Sequence, residues 1–465
     1  MADSSGARVV DDSGTPLALA ALLTGTLVGT VSNNVVNVPL TDILDDFDAP
    51  LGSGVLVVVG FLLTFAATMP LAGYIADRYG RRRVYCAALV GTAVCSAGAA
   101  TAPTLEVLIA WRALGGLAAA VFAPAVMGLI AWLFGPRRRA RAVGAWASVN
   151  GIGQAVGPSL GGLMADAWGW RWVFVPLIPL ALIGLVLTLR TVPRYPGRTM
   201  RLDKLGASTL TLGSALLILS VTLVGSGGVS LWISAGLALL AAVLLVGCVL
   251  HCLRVPVPFL DVRDVVEPRF ARSAIAAFAQ MFALGATLLV IPLYVVRHGA
   301  STSVAGALLF ALPATMAVLA PIVGGISDRL GARRVLRTGL VVLCASQIAL
   351  GVVTVVDAEM LWLVAVLVLS GVGIALVQTP AAAGSTRSVA GARGTGLGLF
   401  NLMRFGGSAL GAAWVAVALA HGGYGILFAV TALVAAGGLA ASFVGRNPVV
   451  GPADAEPAGE PLPAR

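Results

Sequence analysis

The stretch Gly73-Tyr-Ile-Ala-Asp77-Arg78-Tyr-Gly80-Arg81-Arg82-Arg83 returns 251 positions later as Gly324-Gly-Ile-Ser-Asp328-Arg329-Leu-Gly331-Ala332-Arg333-Arg334. Each copy is a Gly-x-x-x-Asp-Arg-x-Gly-x-Arg-Arg segment that closes one long apolar run and precedes another. A charged turn set twice between hydrophobic segments predicts a membrane protein built from two related halves.

The composition agrees. Of 465 residues, 58% are hydrophobic and 11% charged, with a mean hydropathy of +0.97; soluble domains carry about 25% charged residues. The 57 glycines suit helices that approach closely in lipid. A hydrocarbon layer of about 30 Å takes roughly 20 apolar residues per helical crossing. Such crossings are read at 17–40, 54–75, 84–102, 105–133, 142–165, 172–190, 205–225, 231–252, 271–296, 304–326, 335–356, 360–383, 395–420 and 424–444. The expected class is therefore an all-α integral membrane protein with fourteen spans.

The net charge of +10 invites a nucleic-acid reading, which the placement of the charges argues against. With the N-terminus inside, 26 of the 30 Lys and Arg fall on the inner side, Arg171 and Arg297 outside, and Arg112 and Arg404 within spans. That asymmetry is the positive-inside rule, so both termini are expected in the cytoplasm. The first sixteen residues lack a basic n-region, and no cleaved signal is expected. The tail after Asn447 is rich in Pro, Ala and Glu and is expected to be disordered. Cys248, His251 and Cys252 share one apolar stretch; buried thiols beside an interfacial His are favoured over a metal site, and no metal or cofactor is expected.

The repeat extends beyond the turn. Asn150 and Asn401 are also 251 apart, Val38-Pro39-Leu40 matches Ile291-Pro292-Leu293, and Gly115 through Pro124 echoes Gly371 through Pro380. The expected organisation is an N-terminal cytoplasmic segment (1–16), a six-helix half (17–190), a linker with two extra spans (191–268), a second six-helix half (269–445) and a tail (446–465).

With these motifs together the chain resembles the major facilitator superfamily, and within it the fourteen-span drug:proton antiporters. The 73–83 turn is similar to that superfamily's signature. Trp111-Arg112-Ala-Leu-Gly-Gly116 resembles its fourth-span basic motif, and Gly153-Gln-Ala-Val-Gly157-Pro158-Ser-Leu-Gly161-Gly162 its fifth-span antiporter motif. Leu202-Asp203-Lys-Leu-Gly206 and Pro258-Phe-Leu-Asp261 look like the fourteen-span branch. The resemblance implies an inner-gate latch at Gly73, Asp77, Arg78, Gly80, Arg81 and Arg82, with a weaker copy at Asp328 and Arg329. It implies a part in proton transfer for Arg112, and a half-to-half seal linked to export at Gly153, Gly157, Pro158 and Gly161.

One departure matters. The first span reads Val31-Ser32-Asn33-Asn34-Val35-Val36-Asn37-Val38-Pro39, with Ser32 where that branch carries an acid, and none of the twenty Asp and Glu lies mid-span. The nearest acids are in the first outer loop, where Asp42 is the candidate proton carrier beside Arg112. Asn33, Asn34, Asn37, Gln154, Gln280, Gln378, Asn401 and Arg404 are the candidate cavity residues. A cavity so lined is neutral or weakly positive, which favours neutral or anionic substrates. The leading expectation is a proton-driven, monomeric exporter of amphiphilic organic molecules in the inner membrane, its partners being that substrate, the proton and the bilayer, with no nucleic acid. The alternative is a metabolite uptake symporter or facilitator of the same fold. No nucleophile, paired-carboxylate or metal constellation points to an enzyme.

Overall fold

The computed structural model describes residues 15–445 except 195, 196, 198–201, 227, 228 and 391–393, and describes no side chains at 136, 137, 139, 140, 147, 226, 321, 328 and 394. The tail, nearly all of the N-terminal segment and the side chains of Arg137, Arg139, Asp328 and Arg393 thus lie outside the described residues.

The described chain is helical throughout. The first half holds α1 (Pro16–Asn34), the short α2 (Leu40–Asp46), α3 (Leu51–Tyr79), α4 (Arg81–Ala100), α5 (Leu105–Ala119), α6 (Phe122–Leu133), α7 (Pro136–Trp168) and α8 (Leu177–Thr191). The linker contributes α9 (Lys204–Ser226), α10 (Leu231–Arg254) and the single turn α11 (Val262–Val265). The second half holds α12 (Pro268–Arg297), α13 (Thr302–Leu330), α14 (Ala332–Val355), α15 (Met360–Thr386), α16 (Gly394–His421) and α17 (Gly423–Ala441). Thirteen helical stretches of the described residues are long and apolar enough to cross a membrane. The expected fifth span is the 33-residue α7, made less apolar by Asn150, Gln154 and its glycines.

The two halves pack by the same plan. The contacts α1–α7, α3–α5, α4–α8 and α1–α8 recur in the second half as α12–α16, α13–α15, α14–α17 and α12–α17. Across the middle, α3 lies on α16 and α13 on α7, again a symmetry-related pair. The extra helices pack on each other, and α9 also lies on both α3 and α16, covering that seam.

The doubled turn is tighter than a loop. Gly80 both ends α3 and starts α4 at φ +95°, and Gly331 does the same between α13 and α14 at φ +89°. A side chain would be strained there, which explains the glycine in both copies.

Two spans depart from single rods. The first stops at Asn34, turns through residues 35–39 and restarts as α2. Asn34 turns its amide back onto the Thr30 carbonyl (2.9 Å), and Pro39 withholds a backbone N–H. Its counterpart Pro292 sits inside an unbroken α12. The fourth span breaks between α5 and α6, where Pro124 leaves the Ala120 carbonyl without its helical partner.

Candidate functional site

A cavity of about 60 Å³ lies between the halves. One wall is polar: Thr26, Thr30, Asn33 and Asn34 from α1, with Trp146, Asn150 and Gln154 from α7. The opposite wall is apolar: Met281, Leu284 and Leu288 from α12 and Phe405 from α16, relieved by Ser408. The break between α5 and α6 contributes Ala119, Phe122 and Ala123, and α3 contributes Phe65 and Met69. Phe65 and Phe405 meet edge to face at 4.8 Å, closing the cavity on the α3–α16 side. No charged side chain is among these lining residues.

The polar wall has unspent capacity. Gln154 Nε2 donates to Asn150 Oδ1 (2.7 Å), tying two amides one helical turn apart. Asn33 Oδ1 and Trp146 Nε1 are shut off from solvent with no hydrogen-bond partner among the described residues. An acceptor and a donor left unmade cost free energy until something supplies the bonds.

Three of the eight expected cavity residues, Asn33, Asn34 and Gln154, line this space. The others do not. Gln280 is 0% exposed in the second half's core with neither amide atom bonded among the described residues, where Gln378 also keeps an unbonded Oε1. Asn37 belongs to the turn after α1, its Oδ1 likewise unbonded. Asn401 and Arg404 stand on α16, with the Arg404 guanidinium 5.2 Å from the ring of Phe405, one position from the wall. Trp146, Met281, Leu284, Leu288 and Phe405 could not be picked out from sequence, because an apolar residue facing a cavity looks like one facing lipid.

The fifth-span glycines face inward in their own half. A Cβ at Gly153 would meet Thr30, at Gly157 Asn34, and at Gly161 the Val35 carbonyl, so the stripe is the groove that seats α1. Contact with the other half comes from the neighbouring face. Ser159 Oγ donates to the Gly306 carbonyl (3.0 Å), and a Cβ at Gly162 would meet the Thr302 carbonyl. Asp166 then accepts from Thr302 Oγ1 (2.9 Å) and from the Ser303 backbone N–H (3.2 Å), so α7 supplies a cap for the first turn of α13. These contacts seal the end of the cavity remote from the doubled turn. Toward the turn, Gly144 on α7 and Gly324 and Gly325 on α13 have no neighbour among the described residues where a Cβ would stand.

Asp42 sits at this seal. Burial, then the charges of Asp166 and Asp45, push its carboxyl up to about 6, against a smaller downward pull from Thr302. Asp46 differs: Arg171 (2.7 Å) and Trp170 Nε1 (3.1 Å) hydrogen-bond it and hold its carboxyl below the usual range.

At the doubled turn, Asp77 pairs with Arg81 Nε at 2.6 Å, and Arg78 donates to the Tyr74 hydroxyl (2.7 Å). The next arginine reaches further. Arg82 Nη2 donates to the Leu189 carbonyl (2.7 Å) in the last turn of α8. Its repeat partner Arg333 donates to the carbonyls of Ser442 (3.0 Å) and Phe443 (2.9 Å) just past α17. In both halves, then, the turn's arginine caps the carbonyl end of the sixth helix, where cations are favoured. In the linker, His251 Nε2 lies 2.9 Å from Asp203 Oδ1, so this nitrogen is taken by a carboxylate.

Arg112 is 3% exposed inside the first half. Its Nε donates to the Val57 carbonyl of α3 (3.1 Å), and its Nη1 to the Ser32 carbonyl of α1 (2.6 Å), while Cζ lies 4.5 Å from the Phe61 ring. One side chain of α5 thereby joins three helices.

Comparison with known proteins agrees with this architecture. The family model described as Major Facilitator Superfamily matches residues 21–412 and, in a second match, 273–465. The chain belongs to the major facilitator superfamily and is a secondary transporter, a multi-pass membrane protein rather than an enzyme. It is 31% identical to the methylenomycin A resistance protein of Streptomyces coelicolor over 368 residues, covering 77% of this chain and 76% of that one. It is 30% identical to the multidrug resistance protein Stp of Mycobacterium tuberculosis over 406 residues, covering 83% and 74%. In fold it is similar to a point mutant of the peptide transporter POT solved in complex with sulfate, with a TM-score of 0.69 at 16% identity, covering 92% and 94% of the two chains.

Proposed function

We propose that this protein exports uncharged amphiphilic organic compounds across the cytoplasmic membrane by alternating access, driven by inward movement of protons. The observation that carries the substrate class is the two-faced cavity, amides and an indole N–H opposite methionine, leucine and phenylalanine, with no charged side chain among the described lining residues. Such a wall gains affinity from neutral molecules with one polar and one apolar edge, and offers a lipophilic cation no counter-charge. The direction of transport is supported by relatives named as resistance proteins and by the fifth-span glycine motif. The basic turns orient the doubled-turn end toward the cytoplasm, so the Asp166 seal is the outer gate.

For the proton, a guanidinium stays charged in a protein, so Arg112 contributes a fixed field rather than a transferable proton. Asp42, titrating near neutrality between the halves, carries it in this reading. Asp77, Arg78 and Arg81, with Asp328 and Arg329, act at the inner gate.

The test is accumulation in an efflux-deficient bacterium with and without this gene, comparing uncharged with permanently cationic amphiphiles. Uncharged compounds are expected to be excluded until a protonophore is added. Exclusion that survives the protonophore would overturn proton coupling, preference for the cations would overturn the substrate class, and accumulation would mean uptake.

A further inference from the structure

A second, smaller cavity, with room for about one water-sized body, lies inside the first half, away from the space between the halves. Ser32, Phe61, Thr92, Cys95, Ser96 and Arg112 are among the residues that line it. Arg112 brings it a permanent positive charge at 3% exposure, yet among the described residues no carboxylate pairs with it. Two of its nitrogens are spent on carbonyls, and Nη2 is shut off from solvent with no partner among the described residues. The Ser32 carbonyl it does bond is one of the last four of α1, which that helix cannot satisfy itself. Carbonyl dipoles and the face of Phe61 offset part of the charge and cannot cancel it. A buried charge without a counter-ion is among the costliest arrangements a protein can hold.

We propose that this cavity binds a small monovalent inorganic anion of chloride size, held by Nη2 of Arg112. The N–H groups of Nη2 supply directed donors. Phe61, Cys95, Ala99 and Phe174 make much of the lining apolar, and a low local dielectric strengthens the attraction. With the anion in place, Arg112 gains the counter-charge that no carboxylate among the described residues supplies. The site is structural: it fixes α1, α3 and α5 against one another beside the transport cavity, independently of which substrate is carried.

The experiment uses the full-length protein in detergent. Melting temperature is followed while chloride replaces gluconate at constant ionic strength. A ligand bound only by the folded state must raise it saturably. We expect that rise for chloride, bromide and nitrate, none for sulfate or gluconate, and an anomalous bromide peak beside Arg112 in crystals grown with bromide. Arg112→Gln is expected to abolish the response. A melting temperature indifferent to chloride in the wild-type protein, with no bromide peak, would overturn the proposal in favour of water, even if Arg112→Gln does not fold. A chloride response undiminished in Arg112→Gln would overturn it equally, by locating the anion elsewhere.

Discussion

Asp42 is held against its ordinary chemistry. Its carboxyl, raised from 3.8 to about 6, keeps its proton in the folded seal at pH values where the unfolded chain has already released it. Raised values of this kind favour the folded state below the unfolded pKa, and the advantage fades as pH climbs through the folded one. Between pH 3.8 and about 6 the wild-type protein should therefore lose stability that an Asp42→Asn variant keeps. Melting temperature measured across that window checks this, and parallel curves for the two proteins would sink it. The same residue scale shows what one chain of letters can disclose. Asn33, Asn34 and Gln154 stood out as amides within apolar runs and do line the cavity, yet Gln280 and Gln378 gave the same signal and lie elsewhere in the second half, Gln280 buried and Gln378 half-buried. A helix apolar on every side has no face that marks the cavity, so the direction of each amide is settled only by tertiary packing.

Among the elements, the doubled turn was legible from its letters, and so was the glycine at its corner, since a φ near +90° leaves little choice of residue. Its second task was not legible. Arg82 and Arg333 reach carbonyls more than a hundred positions away, at the ends of α8 and α17, and nothing local announces such a partner. Replacing either by Ala should cost about 1 kcal/mol through loss of a helix-end cation. The two losses should add, because the sites share no partner. Melting curves of Arg82→Ala, Arg333→Ala and the double variant provide the check, with the exposed Arg83→Ala as a control expected to stay near wild type. Breaks in spans were also out of reach. Pro39 stands between two helices while its repeat partner Pro292 lies inside one, and the first break comes where Asn34 turns its amide back onto the Thr30 carbonyl.

On the scale of the whole molecule, two bodies with one packing plan meet at two seams and differ in what covers them. Alternating access requires the Asp166 contacts with Thr302 and Ser303 to part in each cycle. A disulfide between Asp166→Cys and Ser303→Cys, in a chain freed of its five native cysteines, should stop transport, and reductant should restore it. Undiminished transport by the oxidised protein would rule out opening at this end. The seat of α9 has a consequence for how cargo arrives. Because α9 straddles α3 and α16, a compound dissolved in the bilayer meets a wall along that flank. Among the described residues no extra helix covers the flank between α7 and α13, and near the doubled turn none stands where a Cβ of Gly144, Gly324 or Gly325 would lie. A lipid-borne molecule that reaches the α3–α16 flank therefore meets α9 first, and the added pair makes the two flanks of a two-fold machine unequal.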